Sequence, residues 1–137
     1  MATKTGSRWA AMRDKAHDIV LHSTTWLSAA DLDDADYQRW IEENKIFAID
    51  LDGRTYYPAY GLHVVTRDNV RTIEPKPIMA AVIAALGERY TGFQMATWFV
   101  SVNGHLIGAA RPADVLDIEP TQVVKAAELE AGGIQHG

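Results

Sequence analysis

Residues 98–116, WFVSVNGHLIGAARPADVL, decide how the chain is read. An amphipathic run through Met95, Trp98, Phe99 and Val102 stops at the turn dipeptide Asn103-Gly104. The apolar pair Leu106 and Ile107 follows, then small residues, then Arg111-Pro112, where the fixed φ of proline suits the first position of a new helix. The reading is apolar helix, tight turn, short apolar loop and proline-started helix. No nucleophile stands beside a base here, so the segment reads as a docking surface or a structural corner.

Toward the C-terminus, a short helix from Pro112 to Asp117 is followed by Pro120, which starts a last helix over Thr121–Ala131. Gly132-Gly133 then ends it as a C-cap, and the tail IQHG reads as disordered. Toward the N-terminus lie a helix over Thr91–Val102 and another over Ile78–Glu88, opened by Pro77, with Ile78, Val82, Ala85 and Leu86 on one face. Asp68–Pro77 is turn-rich and marks a domain boundary. Ala59–Val65 reads either as extended chain or as one helical turn.

Further upstream, Asp52-Gly53 is a strong hairpin signal between the strand-like stretches Lys45–Leu51 and Arg54–Tyr57, with Pro58 and Gly61 closing the unit. Two helices precede it. Ser28 caps a short one over Ala29–Leu32; Asp33 and Asp34 cap a second, Ala35–Asn44, with Tyr37, Trp40 and Ile41 on one face. The first helix runs from an N-cap at Ser7 to His22, with Trp9, Met12, Ala16, Ile19 and Val20 recurring at helical spacing, and residues 1–6 form a floppy leader. The expected fold is α+β and mainly helical. Residues 7–72 form a winged helix-turn-helix-like N-terminal lobe with a β-hairpin, and residues 73–131 form a C-terminal helical lobe.

Composition narrows the function. The 137 residues include no cysteine, which excludes disulfides, thiol catalysis and cysteine-ligated metals. The apolar fraction of 47% is enough for a core, and no run approaches the ~18 uninterrupted apolar residues of a membrane span. The N-terminal stretch MATKTGSRWAAMRDK lacks the apolar core of a signal peptide, so a cytoplasmic protein is expected. The formal charge is −5, and both halves are acidic. Affinity for nucleic acid rests largely on neutralising phosphates, so this balance disfavours DNA binding. The helix DADYQRWIEEN offers Gln38, Arg39 and Asn44 to base edges, but it also brings Asp34, Asp36, Glu42 and Glu43, which phosphates repel.

Other chemistry finds little support. Asp31, Asp33 and Glu42 occupy positions 1, 3 and 12 of a calcium loop without the glycine its sharp turn needs, so the segment reads as a helix-capping turn. His17 and His22 stand five apart and point in different directions on a helix, and the other histidines are scattered; no metal site is expected. There is no nucleophile elbow, P-loop or dinucleotide fingerprint. No catalytic residue and no cofactor are assigned, and the chain reads as a non-enzyme. A small-molecule-binding or enzymatic alternative needs a pocket near Tyr56, Tyr57 and Tyr60, whose other reading is packing of the wing onto the helices.

The order Trp40, Lys45-Ile-Phe-Ala-Ile, Asp52-Gly53, Tyr57-Pro58-Ala59, then a helix pair, Trp98-Phe99, Asn103-Gly104-His-Leu and Arg111-Pro112-Ala-Asp-Val-Leu resembles the Xre/MbcA/ParS-type antitoxins over residues 26–130. Asn103, Leu106, Gly108 and Pro112 match the short loop element of their toxin-binding region. The resemblance implies a homodimeric antitoxin that neutralises a NAD-degrading partner toxin of the RES type. It also implies that Trp98, Asn103, Leu106, Arg111 and Pro112 serve the partner-binding surface and that residues 128–137 insert into the toxin; His105, inside the corner, reads by itself as a polar contact for the partner. The remaining alternative is a DNA-binding winged-helix regulator, for which Gln38, Arg39 and Asn44 are the candidate contacts.

Overall fold

The structure, a computed structural model, describes residues 4–28 and 34–136. In chain order the elements are α1 (Lys4–His22), β1 (Trp26–Ser28), α2 (Asp34–Glu42), β2 (Ile49–Leu51), β3 (Arg54–Pro58), β4 (Leu62–Arg67), β5 (Val70–Pro75), α3 (Pro77–Leu86), α4 (Gly92–Val100), α5 (Pro112–Val115) and α6 (Pro120–His136). The fold is α+β with small antiparallel sheets. The helix expected over Ala29–Leu32, and with it Asp31 and Asp33, lies outside the described residues.

The hairpin signal at Asp52-Gly53 forms as expected. Both residues take positive φ, 51° and 77°, the mirror-image turn whose twist matches the flanking strands. Leu51 pairs with Arg54 and Ile49 with Tyr56. The strand before the turn is shorter than Lys45–Leu51, because residues 46–48 leave the ladder; Ile46 and Phe47 are buried instead by packing. A strand not anticipated from the sequence, β1, pairs antiparallel with the far side of β3, giving the order β1-β3-β2.

Asp68–Pro77 is not an irregular connection. Most of it is β5, paired with β4 from Leu62↔Pro75 to Arg67↔Val70 around a second two-residue turn. Asp68 and Asn69 supply the positive φ values of 52° and 64°, which Asp and Asn tolerate better than other side chains. Before it, Ala59–Gly61 makes a single 3-10 turn and the strand follows at once, so both readings of Ala59–Val65 are partly realised.

Helix boundaries differ from the expected ones most at the start of α1 and the end of α6. α1 begins at Lys4, so Ser7 lies inside it and is not its cap. α6 continues through Gly132-Gly133 to His136; the glycines neither cap the helix nor begin a disordered tail. The apolar stripe of α1 is not a core face: Met12 and Ile19 are each 57% exposed, while Val20 is buried.

The core gathers buried side chains from both stretches, 7–72 and 73–131, into one cluster. At its centre Phe99 is fully buried. Its ring stacks on Phe47 at 5.8 Å and lies 4.8 Å from Tyr60. A second aromatic group joins Tyr37 to Tyr57, stacked at 4.5 Å, and to Trp40, edge-on at 5.7 Å. α3 packs along α6, burying Met79, Val82 and Ile83 on one helix and Val123, Ala126 and Ala127 on the other. Gly92 lets the start of α4 approach the main chain after Phe47: a Cβ there would come within 2.0 Å of the Ala48 carbonyl oxygen.

Truncating Phe99 to Ala removes the ring that touches both halves of the chain, and should cost about 3–5 kcal/mol in urea unfolding. Gly92→Ala forces a backbone shift against Ala48 and should cost about 1–3 kcal/mol by the same measurement.

Candidate functional site

The corner at residues 98–116 is built on α4. A capping box starts this helix: Gln94 N–H donates to Thr91 Oγ1 at 3.1 Å, and Thr91 N–H donates to Gln94 Oε1 at 2.9 Å. Its inner face buries Met95, Ala96, Trp98 and Phe99. Where α4 ends, Ser101 Oγ donates back to the Thr97 carbonyl at 2.6 Å, so this hydroxyl is spent on the helix and does not meet His105.

Beyond the helix the chain is held by Asn103, which is buried. Its side-chain oxygen accepts from the His105 N–H at 2.8 Å. Its backbone carbonyl accepts from Leu106 N–H at 3.2 Å, and its N–H donates to the Ala110 carbonyl at 3.0 Å. The two ends of the loop are thereby tied together. Gly108 and Ala109 take φ values of 75° and 51° to close it. Leu106 and Pro112 plug it into the core, and Leu116 anchors the far end.

Of the six residues assigned to partner binding, Trp98, Asn103, Leu106 and Pro112 are therefore buried and build the frame. His105 is exposed and Arg111 half-buried. The loop's outer surface comes from residues the sequence reading did not single out as contacts: Val102 is 69% exposed and Ile107 84%.

Arg111 works as a clasp. Its Nε and Nη2 each donate to one oxygen of Asp114 at 2.8 Å, a bidentate pair. Its Nη1 donates to the Ser23 carbonyl at 2.9 Å, joining the corner to the end of α1 across 88 positions of sequence. No sequence signal announces that contact. The hydrogen bonds from Arg111 hold the Asp114 carboxyl below its usual pKa, and the same pairing raises the guanidinium.

A groove of about 490 Å³ opens beside the corner between α4 and α6, lined by Tyr90, Phe93, Thr97, Trp98 and Glu130 among others. A smaller one of about 310 Å³ adjoins it at Val102, Asn103 and His105, and Trp98 and Glu130 line both. The Trp98 indole N–H is buried without a hydrogen-bond partner among the described residues. Burial, and then the neighbouring Glu130 carboxylate, push the Tyr90 hydroxyl above its usual pKa.

The tyrosines proposed to line a ligand pocket are packed instead. Tyr57 is buried against Tyr37, and Tyr56 is half-buried. Tyr60 lies against Phe47, Phe99 and Trp26. None of these three tyrosines lines the grooves beside α4.

Gln38 and Arg39 on α2 are exposed, as is Asn44, which lies beyond the end of the helix at Glu42 with a positive φ of 57° rather than on it as the spacing predicts. Arg39 faces Asp36 at 3.3 Å and Glu43, just past the end of α2, at 3.5 Å, so carboxylates stand on both sides of its charge. His17 packs edge-on to Phe93 at 5.0 Å, and His22 Nδ1 lies 2.8 Å from the Asp18 carbonyl. Among the described residues no three metal-ligating side chains converge, and no helix is long and apolar enough to cross a membrane.

Because Asp114 titrates lower in the folded chain than unfolded, the clasp stabilises the fold above the ordinary carboxylate range, near pH 4, and its contribution is lost as pH falls through the lowered value. Asp114→Asn should flatten the loss of stability below that range, read as a shallower dependence of the urea midpoint on pH.

Compared with known protein families, curated proteins and solved structures, the chain gives no significant match in sequence or fold.

Proposed function

We propose that this chain is a non-enzymatic antitoxin-like protein, acting as a homodimer in the cytoplasm, whose corner binds and neutralises a partner toxin of the RES type. The observation that carries the reading is the contrast within one loop. Asn103, Leu106 and Pro112 are buried and fix its path, while Val102 and Ile107 are held 69% and 84% exposed on top of it. Two large apolar side chains held on one fixed loop offer a partner apolar surface to bury. Frames of this kind lower the entropy lost on association, because the loop needs no ordering when a partner arrives. His105, exposed between them, adds a polar contact.

The front half serves in this reading as a winged helix-turn-helix-like scaffold. Support comes from α2 leading directly into the β2–β3 hairpin, with β1 added on the far side of β3. A second reading, a DNA-binding regulator, draws on the same arrangement. It is the weaker of the two, because Arg39 is paired with Asp36 and Glu43 and the chain carries a formal charge of −5.

The test is co-expression with the neighbouring gene product in the native host, followed by capture of the tagged chain. A stable complex with a small neighbouring protein is expected. Val102→Asp and Ile107→Asp, which change exposed side chains, should each weaken it by about tenfold or more while leaving the melting temperature near that of the parent. Arg111→Ala should weaken it less, by loosening the corner from α1. Full binding by both aspartate variants would remove the corner as the contact. Recovery of the chain without a partner, together with salt-sensitive binding to its own promoter, would favour the regulator.

A further inference from the structure

The β4–β5 hairpin is poorly supported by the rest of its own chain. Leu62 is buried, but Val64, Thr66, Arg67, Val70, Arg71 and Thr72 are exposed, and among the described residues the two strands pair only with each other. A lone two-stranded ribbon is marginal in water and gains stability from a third strand or a packed face. Its backbone shows where a third strand fits. With a two-residue turn at Asp68-Asn69, Arg67 and Val70 exchange both backbone hydrogen bonds, as do Val65 with Thr72 and His63 with Glu74. The Lys76 N–H, donating to the Gly61 carbonyl at 2.8 Å, continues that alternation. The intervening residues turn their N–H and C=O groups outward: Leu62, Val64 and Thr66 on β4; Arg71, Ile73 and Pro75 on β5.

The two edges are unequal. Pro75 has no N–H to offer, and Ile73 is half-buried. On β4 the Leu62 N–H is committed to the Ala59 carbonyl, but Val64 and Thr66 present donor and acceptor together, and the Val64 side chain is 53% exposed. Edges of this kind, without proline or lysine, are adhesive.

We propose that β4 pairs antiparallel with β4 of a second copy, about a two-fold axis at Val64, making a four-stranded sheet across a homodimer. A second copy is the occupant because the edge is complementary to itself. With the axis at Val64, that residue exchanges both backbone hydrogen bonds with its own counterpart, and the two exposed valines pack on one face. Thr66 then lies opposite Leu62 of the other copy, and His63 opposite Val65. Moving the axis to Val65 would set Val64 opposite Thr66 and lose the contact between the two exposed valines, which disfavours that register. The interface uses none of residues 98–116; it rests only on the dimeric state included in the proposed function, and it can fail while a dimer survives.

The absence of cysteine makes the test direct. Residues in a hydrogen-bonded antiparallel pair have Cα atoms about 5.5 Å apart, inside the disulfide range of roughly 4.4–6.8 Å. Val64→Cys should therefore cross-link to itself under mild oxidation and run as a covalent dimer. Thr66→Cys would place its two thiols about 14 Å apart along the strands and should not cross-link. Val64→Lys, which sets two like charges opposite each other, should sediment as a monomer with an unchanged far-ultraviolet dichroism spectrum. A parent chain that sediments as a monomer would overturn the proposal. So would equal cross-linking of the two cysteine variants, or a Val64→Lys chain that stays dimeric. A dimeric parent whose Val64→Cys variant fails to cross-link would overturn this interface and leave the dimeric state of the proposed function standing.

Discussion

The fold depends on one aromatic contact. Phe99, on α4, lies against Phe47 and Tyr60, which come from the stretches on either side of the first hairpin. Through that ring the N-terminal sheet and the C-terminal helices share a single apolar interior. Burying large aromatic side chains is among the strongest local contributions available to a chain of this size. Its cost is visible beside it. The Tyr60 hydroxyl is sealed in without a hydrogen-bond partner among the described residues, and burial pushes its pKa well above the usual value. Gly92 is the matching constraint in the main chain, because α4 starts close enough to Ala48 that no side chain fits between them.

From this anchor the corner at residues 98–116 takes its shape. Phe99 and Trp98 face inward on α4, so the chain leaving the helix must turn at its rim. Asn103 makes that turn with its backbone and side chain together, and Arg111 locks the return to the end of α1. A polar residue buried in such a place is stable only because its groups are paired. The residues of the motif are thus mostly structural. What the corner displays is the pair Val102 and Ile107, held in position by those buried residues.

Local signals were legible where short-range chemistry is decisive. Asp52-Gly53 gave the first hairpin, Pro77, Pro112 and Pro120 each opened a helix, and the apolar spacing placed α2, α3 and α4 close to their observed limits. The second hairpin was missed because Asp68-Asn69 lacks glycine and two prolines nearby suggested a loop; the positive φ at both turn residues is a less visible signal than Asp-Gly. The glycine pair at 132–133 misled in the other direction. Two glycines weaken a helix without obliging it to stop, and α6 runs on past them.

The sequence by itself determined most of the helices and the first hairpin, the acidic balance, the absence of thiol chemistry and the outline of the corner. These follow from composition, turn chemistry and periodicity, all of which act within a few residues. Tertiary structure decided which apolar residues face inward. Met12, Ile19, Val102 and Ile107 belong to the same apolar patterns as buried neighbours, yet they face solvent, because burial depends on which elements meet. It also decided that β1 joins β3 and that Arg111 reaches Ser23, contacts between residues about 30 and 88 positions apart. Periodicity carries no information over such distances; only the packed chain brings those groups together.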